Sequence, residues 1–148
     1  MQRPKMTTIY AIQMLSVLEY YRKNQKEGVS DVILPLRIIK QHSEVKSLNL
    51  LEQVARDLRI KGLTRSIKGP RGGCQLVADL SKVTIGDIED GGPALIDVDD
   101  EANITNSVTA RYNECLNMFF DTLLYDIKGF GKPLPLGIST GLASSDKV

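Results

Sequence analysis

The sequence contains few residues that could bind a metal or form a disulfide. Its 148 residues include two cysteines, Cys74 and Cys115, and a single histidine, His42. The cysteines lie 41 positions apart, and neither has a partner at a metal-ligand spacing. We therefore expect no metal, no disulfide framework and no catalytic dyad of cysteine and histidine. A reducing cytoplasm is the expected location.

Long apolar runs are also missing. No stretch of 18 apolar residues occurs, so no membrane-spanning helix is predicted. Arg3 and Lys5 precede an apolar segment, but Gln13, Ser16 and Glu19 interrupt it and no small-residue cleavage site follows, so we expect no signal peptide. A hydrophobic fraction of 42% and a charged fraction of 25% are typical of a soluble globular domain.

Charge is divided unevenly along the chain. Residues 1–85 hold 15 Lys and Arg against 7 Asp and Glu, a net of +8, whereas residues 86–148 hold 4 against 11, a net of −7. Within the basic half, residues 46–71 contain two acids, Glu52 and Asp57, and seven cations: Lys46, Arg56, Arg59, Lys61, Arg65, Lys68 and Arg71. This division predicts that the first half binds a polyanion.

Helical periodicity predicts two helices before residue 44. The segment TTIYAIQMLSVLEYYRK, residues 7–23, spaces its apolar side chains as a helix does, with Thr7 or Thr8 as the N-cap. The segment ILPLRIIKQHS, residues 33–43, has Pro35 near a first-turn position, which favours a short second helix. His42 is expected on this helix or in the turn after it.

A third helix is predicted over SLNLLEQVARDLRIKGL, residues 47–63, with Ser47 or Asn49 as N-cap and Gly62 as the stop. One face is apolar and consists of Leu48, Leu51, Ala55 and Leu58. The opposite face, at 100° per residue, carries side chains that can hydrogen-bond base edges and phosphates: Asn49, Glu52, Gln53, Arg56 and Arg59.

The segments LTRSI, residues 63–67, and CQLVA, residues 74–78, are predicted strands. A tight hairpin needs only about two linking residues, so the longer connection KGPRGGC, with Lys68 and Arg71, predicts a projecting basic loop. It is not a P-loop, because no Gly-Lys-Ser/Thr follows and a strand comes next. Three helices and this hairpin predict a mainly α fold with a small β-hairpin, a winged helix-turn-helix over residues 1–85.

The pattern in the second half of the sequence predicts a helix that mediates dimerisation. TIGDIED, residues 84–90, should be a short helix opened by Thr84, within an acidic connection, 86–101, whose carboxylates lack EF-hand spacing. A long amphipathic dimerisation helix is predicted over residues 102–128, and the Gly-, Pro- and Ser-rich tail, 129–148, is expected to be mostly disordered. The helix's wide apolar stripe favours a second chain as partner, with contacts from Tyr112, Leu116, Phe119 and Leu123.

The two cysteines receive different predictions. Cys115 falls on the apolar stripe of the long helix, where a packing role is expected. Cys74 falls at the end of the wing loop, where an exposed and oxidisable thiol is expected, so Cys74 is a candidate redox residue.

Four segments resemble a known family: YAI at 10–12, LLEQVARDLRIKGL at 50–63, SIKGPRGGCQL at 66–76 and VTIGDI at 83–88. Their order and spacing are similar to those of the Rrf2 family of bacterial winged-helix transcription regulators. The resemblance covers residues 6–128 and implies a homodimer, without catalytic activity, on a pseudo-palindromic operator in double-stranded DNA. The implied DNA contacts are Ser47, Asn49, Glu52, Gln53, Arg56, Arg59, Lys68 and Arg71.

One segment departs from the family pattern. Members that hold a [2Fe-2S] cluster read GPALVDC and then supply further cysteines, whereas this chain reads GPALIDVDDEANIT at 92–105. Because such clusters need thiolate ligands, no cofactor is expected. Control would then come from a partner protein, a small ligand or oxidation of Cys74.

Three functions are compatible with these patterns. The first is a homodimeric DNA-binding repressor or regulator. The second is a winged-helix module that binds a protein and has lost DNA affinity. The third is a small hydrolase that uses the acidic residues Asp97, Asp99, Asp100 and Glu101. The basic helix face and wing favour the first.

Overall fold

The computed structural model describes residues 6–25, 32–89 and 104–132. Five helices occur in these ranges: α1 (Met6–Lys23), α2 (Leu36–Gln41), α3 (Leu48–Ile60), α4 (Ile85–Ile88) and α5 (Ile104–Phe120). The strands are β1 (Ile33–Leu34), β2 (Thr64–Ile67) and β3 (Gly73–Leu76), and 3-10 turns cover Leu80–Lys82 and Leu124–Asp126. None of the helices in these ranges combines the length and the apolar character needed to cross a membrane.

The sheet has three antiparallel strands in the order β1-β3-β2, so the predicted two-stranded hairpin was incomplete. The missing strand comes from Ile33 and Leu34, which the sequence placed in the second helix. Leu34 pairs with Cys74, and Ile33 pairs with Gln75. Pro35 is the N-cap of α2 and has an extended backbone, so the helix begins only at Leu36. The result is a winged-helix fold.

The core lies between α1, α3 and the sheet. Three residues of α3, namely Leu51, Val54 and Leu58, pack against a set from α1 that includes Met14, Leu15 and Leu18. Leu48 was predicted on this apolar face, but it is 46% exposed. It is the first residue of α3, one turn before Leu51, and it lies at the edge of the buried face.

The helix ends show which predicted caps form. Ser47 caps α3, since its Oγ accepts a hydrogen bond from the Leu50 N–H at 3.2 Å. Thr84 opens α4, as predicted, and it also forms a reciprocal capping box with Asp87. Thr8 is not a cap, because α1 already includes Met6; its hydroxyl instead donates to the buried Glu89 carboxylate at 2.5 Å.

Helix α5 ends at Phe120, eight residues before the predicted end at Lys128. We call residues 6–25 and 32–89, which hold α1 to α4 and the sheet, the winged-helix head, and residues 121–131 the anchor segment, because they pack against this head. The Ile85 N–H donates to the Thr122 carbonyl at 2.9 Å, and the Leu124 N–H donates to the Val83 carbonyl at 2.9 Å. These tertiary hydrogen bonds replace the helical ones that would have continued α5.

The first residues of the predicted tail belong to the anchor segment and are packed. Phe130 is partly buried against the core, and the Gly131 N–H donates to Ser16 Oγ at 2.7 Å. The rest of the tail, 133–148, lies outside the described residues, as do most of the acidic connection, 90–101, and the first two residues of the predicted dimerisation helix, 102–103. The first part of that connection, up to Ile88, belongs to α4.

Candidate nucleic-acid interface

One face of α3 presents the polar side chains that the sequence singled out. Asn49, Glu52, Gln53, Arg56 and Arg59 are all exposed, whereas the opposite face of the helix is buried in the core. The predicted side-chain set is therefore brought together on a single accessible face. Amides and guanidinium groups in this arrangement can reach base edges and phosphates in a groove.

The start of α3 adds backbone donors to this face. The first N–H groups of a helix have no partner within the helix, and the helix dipole makes this end favourable for anions. Ser47 uses its Oγ as an acceptor for the Leu50 N–H, which leaves its O–H able to donate. Ser47 is exposed, so its hydroxyl is accessible to a phosphate.

The wing is the β2–β3 connection, residues 68–72. Strand pairing ends at Ile67 and Gly73, and the loop is closed by a hydrogen bond from the Gly72 N–H to the Gly69 carbonyl at 2.9 Å. Lys68 and Arg71 are both exposed in this loop. The structure thus places both predicted cations on a short, internally bonded projection.

Two glycines where the wing joins β3 allow close backbone approaches. A Cβ at Gly72 would lie 2.0 Å from the Ile67 carbonyl oxygen, and a Cβ at Gly73 would lie 2.2 Å from the Leu34 carbonyl oxygen. Both distances are far below contact, so a side chain at either position would push β3 away from its neighbours. The GG pair is therefore needed to hold the wing against β1 and β2.

The cations of this surface are not neutralised by nearby acids. Within the described ranges, no ion pair involves Arg56, Arg59, Lys68 or Arg71. Lys61 differs, because its Nζ is 2.5 Å from the Asp57 carboxylate. The remaining exposed cations can contribute to a positive field around the wing and the exposed face of α3.

Two residues that the sequence reasoning did not select also belong to this surface. Leu48 is exposed beside Asn49, and an apolar side chain there could contact a thymine methyl group. Arg65 is exposed on β2, and its Nε donates to Gln75 Oε1 on β3 at 2.5 Å. This bond fixes one edge of the guanidinium and leaves the other donors free to bind a phosphate. The sequence signal for Arg65 was its place among the seven cations of residues 46–71.

The prediction of an exposed Cys74 was wrong. Cys74 lies on β3 between β1 and β2 and is 6% exposed. Burial raises the pKa of its thiol, although the charge of Arg59 acts in the opposite direction. A buried thiol with a raised pKa is a poor nucleophile and a poor redox sensor.

Helix α5 exposes its apolar side chains. Val108 is 63% exposed, Met118 is 70% exposed and Phe119 is 42% exposed, while Tyr112 and Leu116 are half-buried. Cys115, predicted to be packed, is exposed as well. Leu123 lies beyond the end of the helix, where it forms an antiparallel bridge with Thr84 of the same chain.

The potential metal ligands do not converge. His42 is the C-cap of α2, as expected, and its Nε2 is 2.8 Å from the Tyr21 hydroxyl. In the part of the chain that the structure describes, no group of three His, Cys, Asp or Glu side chains could hold a metal ion. Cys74 lies in the sheet and Cys115 on α5.

A small cavity lies between α1, α3 and α4. Its volume is about 160 Å³, and it is lined by Thr7, Thr8, Ala11, Gln53, Val54, Asp57 and Ile88. Pockets for drug-sized ligands usually measure about 300–1,000 Å³. This cavity is therefore too small for a nucleotide and could hold only a compact molecule.

The family model of Rrf2, described as iron-dependent transcriptional regulator, matches residues 5–122. The chain belongs to the Rrf2 family. The match runs from α1 through the wing to the start of the anchor segment, so it includes the candidate interface and α5.

Solved structures show the same fold. A candidate transcriptional regulator from Listeria innocua is 25% identical, with 84% of this chain and 85% of that chain covered and a TM-score of 0.64. CymR, the global cysteine regulator of B. subtilis, is 24% identical, with 88% and 98% covered and a TM-score of 0.66. T. potens IscR is 22% identical, with 85% of each chain covered and a TM-score of 0.60. No curated protein sequence matches significantly.

Proposed function

We propose that this Rrf2-family protein is a sequence-specific, DNA-binding transcription regulator that represses from a pseudo-palindromic operator as a homodimer. The observation that supports it most is the exposed face of α3, because five predicted contact residues share it while the other face forms the core. In this arrangement α3 enters the major groove and the wing lies along the adjacent backbone. Lys68 and Arg71 then bind phosphates or the minor groove.

The roles within α3 follow from side-chain chemistry. Asn49 and Gln53 can form paired hydrogen bonds with adenine, and Glu52 can accept a hydrogen bond from the cytosine amino group. Arg56 and Arg59 lie further along the helix and suit phosphates or guanine. Replacing Asn49 or Gln53 by Ala should therefore alter base preference, by about 1–3 kcal/mol for each good contact.

Selection of bound fragments from the source genome tests the proposal. Enrichment of one inverted repeat, with affinity that falls steeply as salt rises, is the expected result. Asn49→Ala should then change which bases are tolerated, whereas uniform loss across all sequences would assign Asn49 to the DNA backbone. Transcription in vitro from a promoter that overlaps the repeat distinguishes repression from activation.

The alternative is a winged-helix module that binds a protein and has lost DNA affinity. It would retain the fold and the exposed α3 face without binding DNA. The same selection separates the two functions, because the alternative predicts no enriched sequence and no salt-dependent DNA binding at physiological ionic strength. Arg56, Arg59, Lys68 and Arg71, which form no ion pair with any residue that the structure describes, favour the DNA-binding function.

The homodimer is supported by the exposed apolar surface of α5. A monomer would leave Val108, Met118 and Phe119 in water, together with much of Tyr112 and Leu116. A two-fold pairing of α5 would bury this surface and place two copies of α3 on the same side of a duplex. In this proposal Leu123 belongs to the anchor segment and not to the dimer surface.

We also propose that regulation does not use an iron–sulfur cluster, although the family description includes iron. The donors do not fit such a group: Cys74 is buried with a raised thiol pKa, and Cys115 is on α5. The segment 90–103 contains carboxylates but no cysteine or histidine. After anaerobic reconstitution the protein should remain colourless, and stoichiometric iron and sulfide would contradict this.

A further inference from the structure

The anchor segment attaches α5 to the winged-helix head at two separate places. The first is α4 and the residues before it, where Thr84 and Leu123 form a bridge flanked by two backbone hydrogen bonds. Leu124, within this contact, is completely buried. The second is the C-terminal half of α1, where the Gly131 N–H donates to Ser16 Oγ at 2.7 Å.

Tyr125 forms the most polar part of the second attachment. Its hydroxyl donates to Glu19, whose side chain is fully buried and also accepts from Arg22 Nε at 2.6 Å. The Lys23 ammonium lies 4.3 Å from the centre of the Tyr125 ring, and the Phe130 ring packs beside it. A hydrogen bond to a buried carboxylate is stronger than one between neutral groups, so this contact holds the segment firmly.

Gly86 controls the first attachment sterically. A Cβ at this position would lie 2.9 Å from the carbonyl oxygen of Phe120, the last residue of α5, and 3.4 Å from the Phe120 Cβ. Because the oxygen belongs to the backbone, a side chain at residue 86 could be accommodated only if the end of α5 moved away from α4. Glycine thus permits the close approach of the two helices.

The length of α5 makes its attachment angle important. A helix of 17 residues is about 25 Å long. A tilt of about 10° at the anchored end would move the far end by about 4 Å, which exceeds the ~3.4 Å rise of one base pair. The distance between two heads joined through α5 therefore depends on how rigidly each head holds its own α5.

We propose that Gly86 and Tyr125 are positioning residues that determine operator spacing. By locking α5 to the head of the same chain, they fix the distance and rotation between the two recognition helices of the dimer. The inference rests on the proposed function, because it requires a dimer that binds two half-sites. Neither residue lies on the α3 face or the wing, so their effect on DNA is indirect.

The test uses the selected operator and versions with one or two base pairs added or removed between its half-sites. Wild type should lose about tenfold or more in affinity for each change of one base pair, because a rigid dimer can no longer seat both heads. Tyr125→Phe, which removes only the hydroxyl, should lower this discrimination by about threefold or more. Gly86→Ala should act in the same direction through the steric contact.

Three controls separate positioning from general damage. Tyr20→Phe removes a hydroxyl from a tyrosine of similar exposure on α1 and should leave the spacing profile unchanged. Affinity for a duplex with a single half-site should stay within about twofold of wild type in every variant, because the α3 face is untouched. Thermal unfolding confirms that Tyr125→Phe remains folded, and it is the decisive variant if Gly86→Ala does not fold.

The possible outcomes are distinct. Loss of discrimination in Tyr125→Phe with half-site affinity retained supports the inference. Wild type that binds all spacings equally, or a folded Tyr125→Phe that keeps the full discrimination, would overturn it and leave the proposed function intact. Failure to select any sequence would overturn the proposed function, and the inference with it.

Discussion

The winged-helix head and α5 differ in the exposure of their apolar side chains. In the head, Leu51, Val54 and Leu58 of α3 are buried, and the exposed face of the same helix is polar and cationic. In α5, residues such as Val108, Met118 and Phe119 remain exposed. The head therefore has a complete core and a surface suited to a polyanion, whereas α5 has a surface suited to another apolar surface.

The largest effect is expected at Phe119, which tests most directly whether the exposed apolar surface of α5 binds a second chain. Phe119→Asp places a charge on the apolar face of α5, and burying that charge without a partner would cost about 3–5 kcal/mol per chain. Sedimentation should show a dimer for wild type and a folded monomer for the variant. Asn117→Asp adds the same charge at another exposed position of the helix and tests whether charge alone disrupts assembly. A monomeric wild type at micromolar concentration would contradict the proposed homodimer.

Truncating a buried side chain in the core of the head should destabilise the fold. Leu58 is fully buried, so Leu58→Ala is expected to lower the free energy of unfolding by about 2–5 kcal/mol. Urea denaturation measures this change. Ile60→Ala truncates an exposed residue of the same helix and should change the free energy by less than about 0.5 kcal/mol. Similar losses in both variants would mean that the two faces of α3 are not distinct.

A smaller effect is expected where the anchor segment joins the two regions. Burial favours a higher pKa for Glu19, but hydrogen bonds from Arg22 and Tyr125 and nearby positive charges outweigh it, so its pKa lies below its ordinary value of 4.5. A lowered pKa stabilises the fold above pH 4.5, and this stabilisation is lost as the pH falls through the lower, folded-state value.

Glu19→Gln should therefore lower the free energy of unfolding at pH 7, by about 1.5–3 kcal/mol, and flatten its decline below pH 5. Denaturation at a series of pH values measures both changes. Glu114→Gln, at an exposed position of α5, should reproduce neither. A pH profile of Glu19→Gln parallel to that of wild type would show that the buried carboxylate does not contribute.

The smallest effect is expected at the wing. It tests whether the cationic surface of the head acts on DNA affinity alone, separately from the apolar surface of α5. On a duplex with a single half-site, where one wing of the dimer is engaged, replacing Lys68 and Arg71 by Ala should reduce the salt dependence of affinity by about two units, so the difference between 50 and 200 mM salt shrinks by about tenfold. Dimerisation should not change. Lys82→Ala removes a cation outside this surface and should keep the wild-type slope. An unchanged slope in the double variant would remove the wing from the DNA contacts.

Features set by local sequence were predicted well. The periodicity of α1 and α3, the α3 cap at Ser47, one of two candidates, and the α4 start at Thr84 depend on residues within a few positions of one another, and all are present in the structure. The exposed polar face of α3 belongs to the same class, since it follows from 100° per residue. The candidate site was therefore largely accessible from sequence, although its DNA contacts stay predictions.

Features set by distant contacts were missed. Strand β1 is only two residues long and exists because Leu34 pairs with Cys74, 40 positions later. The same pairing buries Cys74, so missing the strand also led to the wrong exposure for the thiol. Leu123 and Ile127 continue the helical spacing of α5, but the hydrogen bond from Ile85 to Thr122 ends that helix. No local sequence pattern indicates these long-range pairings.

The bond between Glu19 and Tyr125 spans 106 positions, which has a consequence for the chain during its synthesis. Helix α1 emerges from the ribosome early, but Glu19 acquires Tyr125 as a partner, and Ser16 acquires Gly131, only after residues 125–131 have been made. Contacts this distant in sequence slow folding, because a long loop must close before they form. A nascent chain that already carries α3 and the wing would thus lack the finished head, and competence to bind an operator would arise only after α5 had been translated.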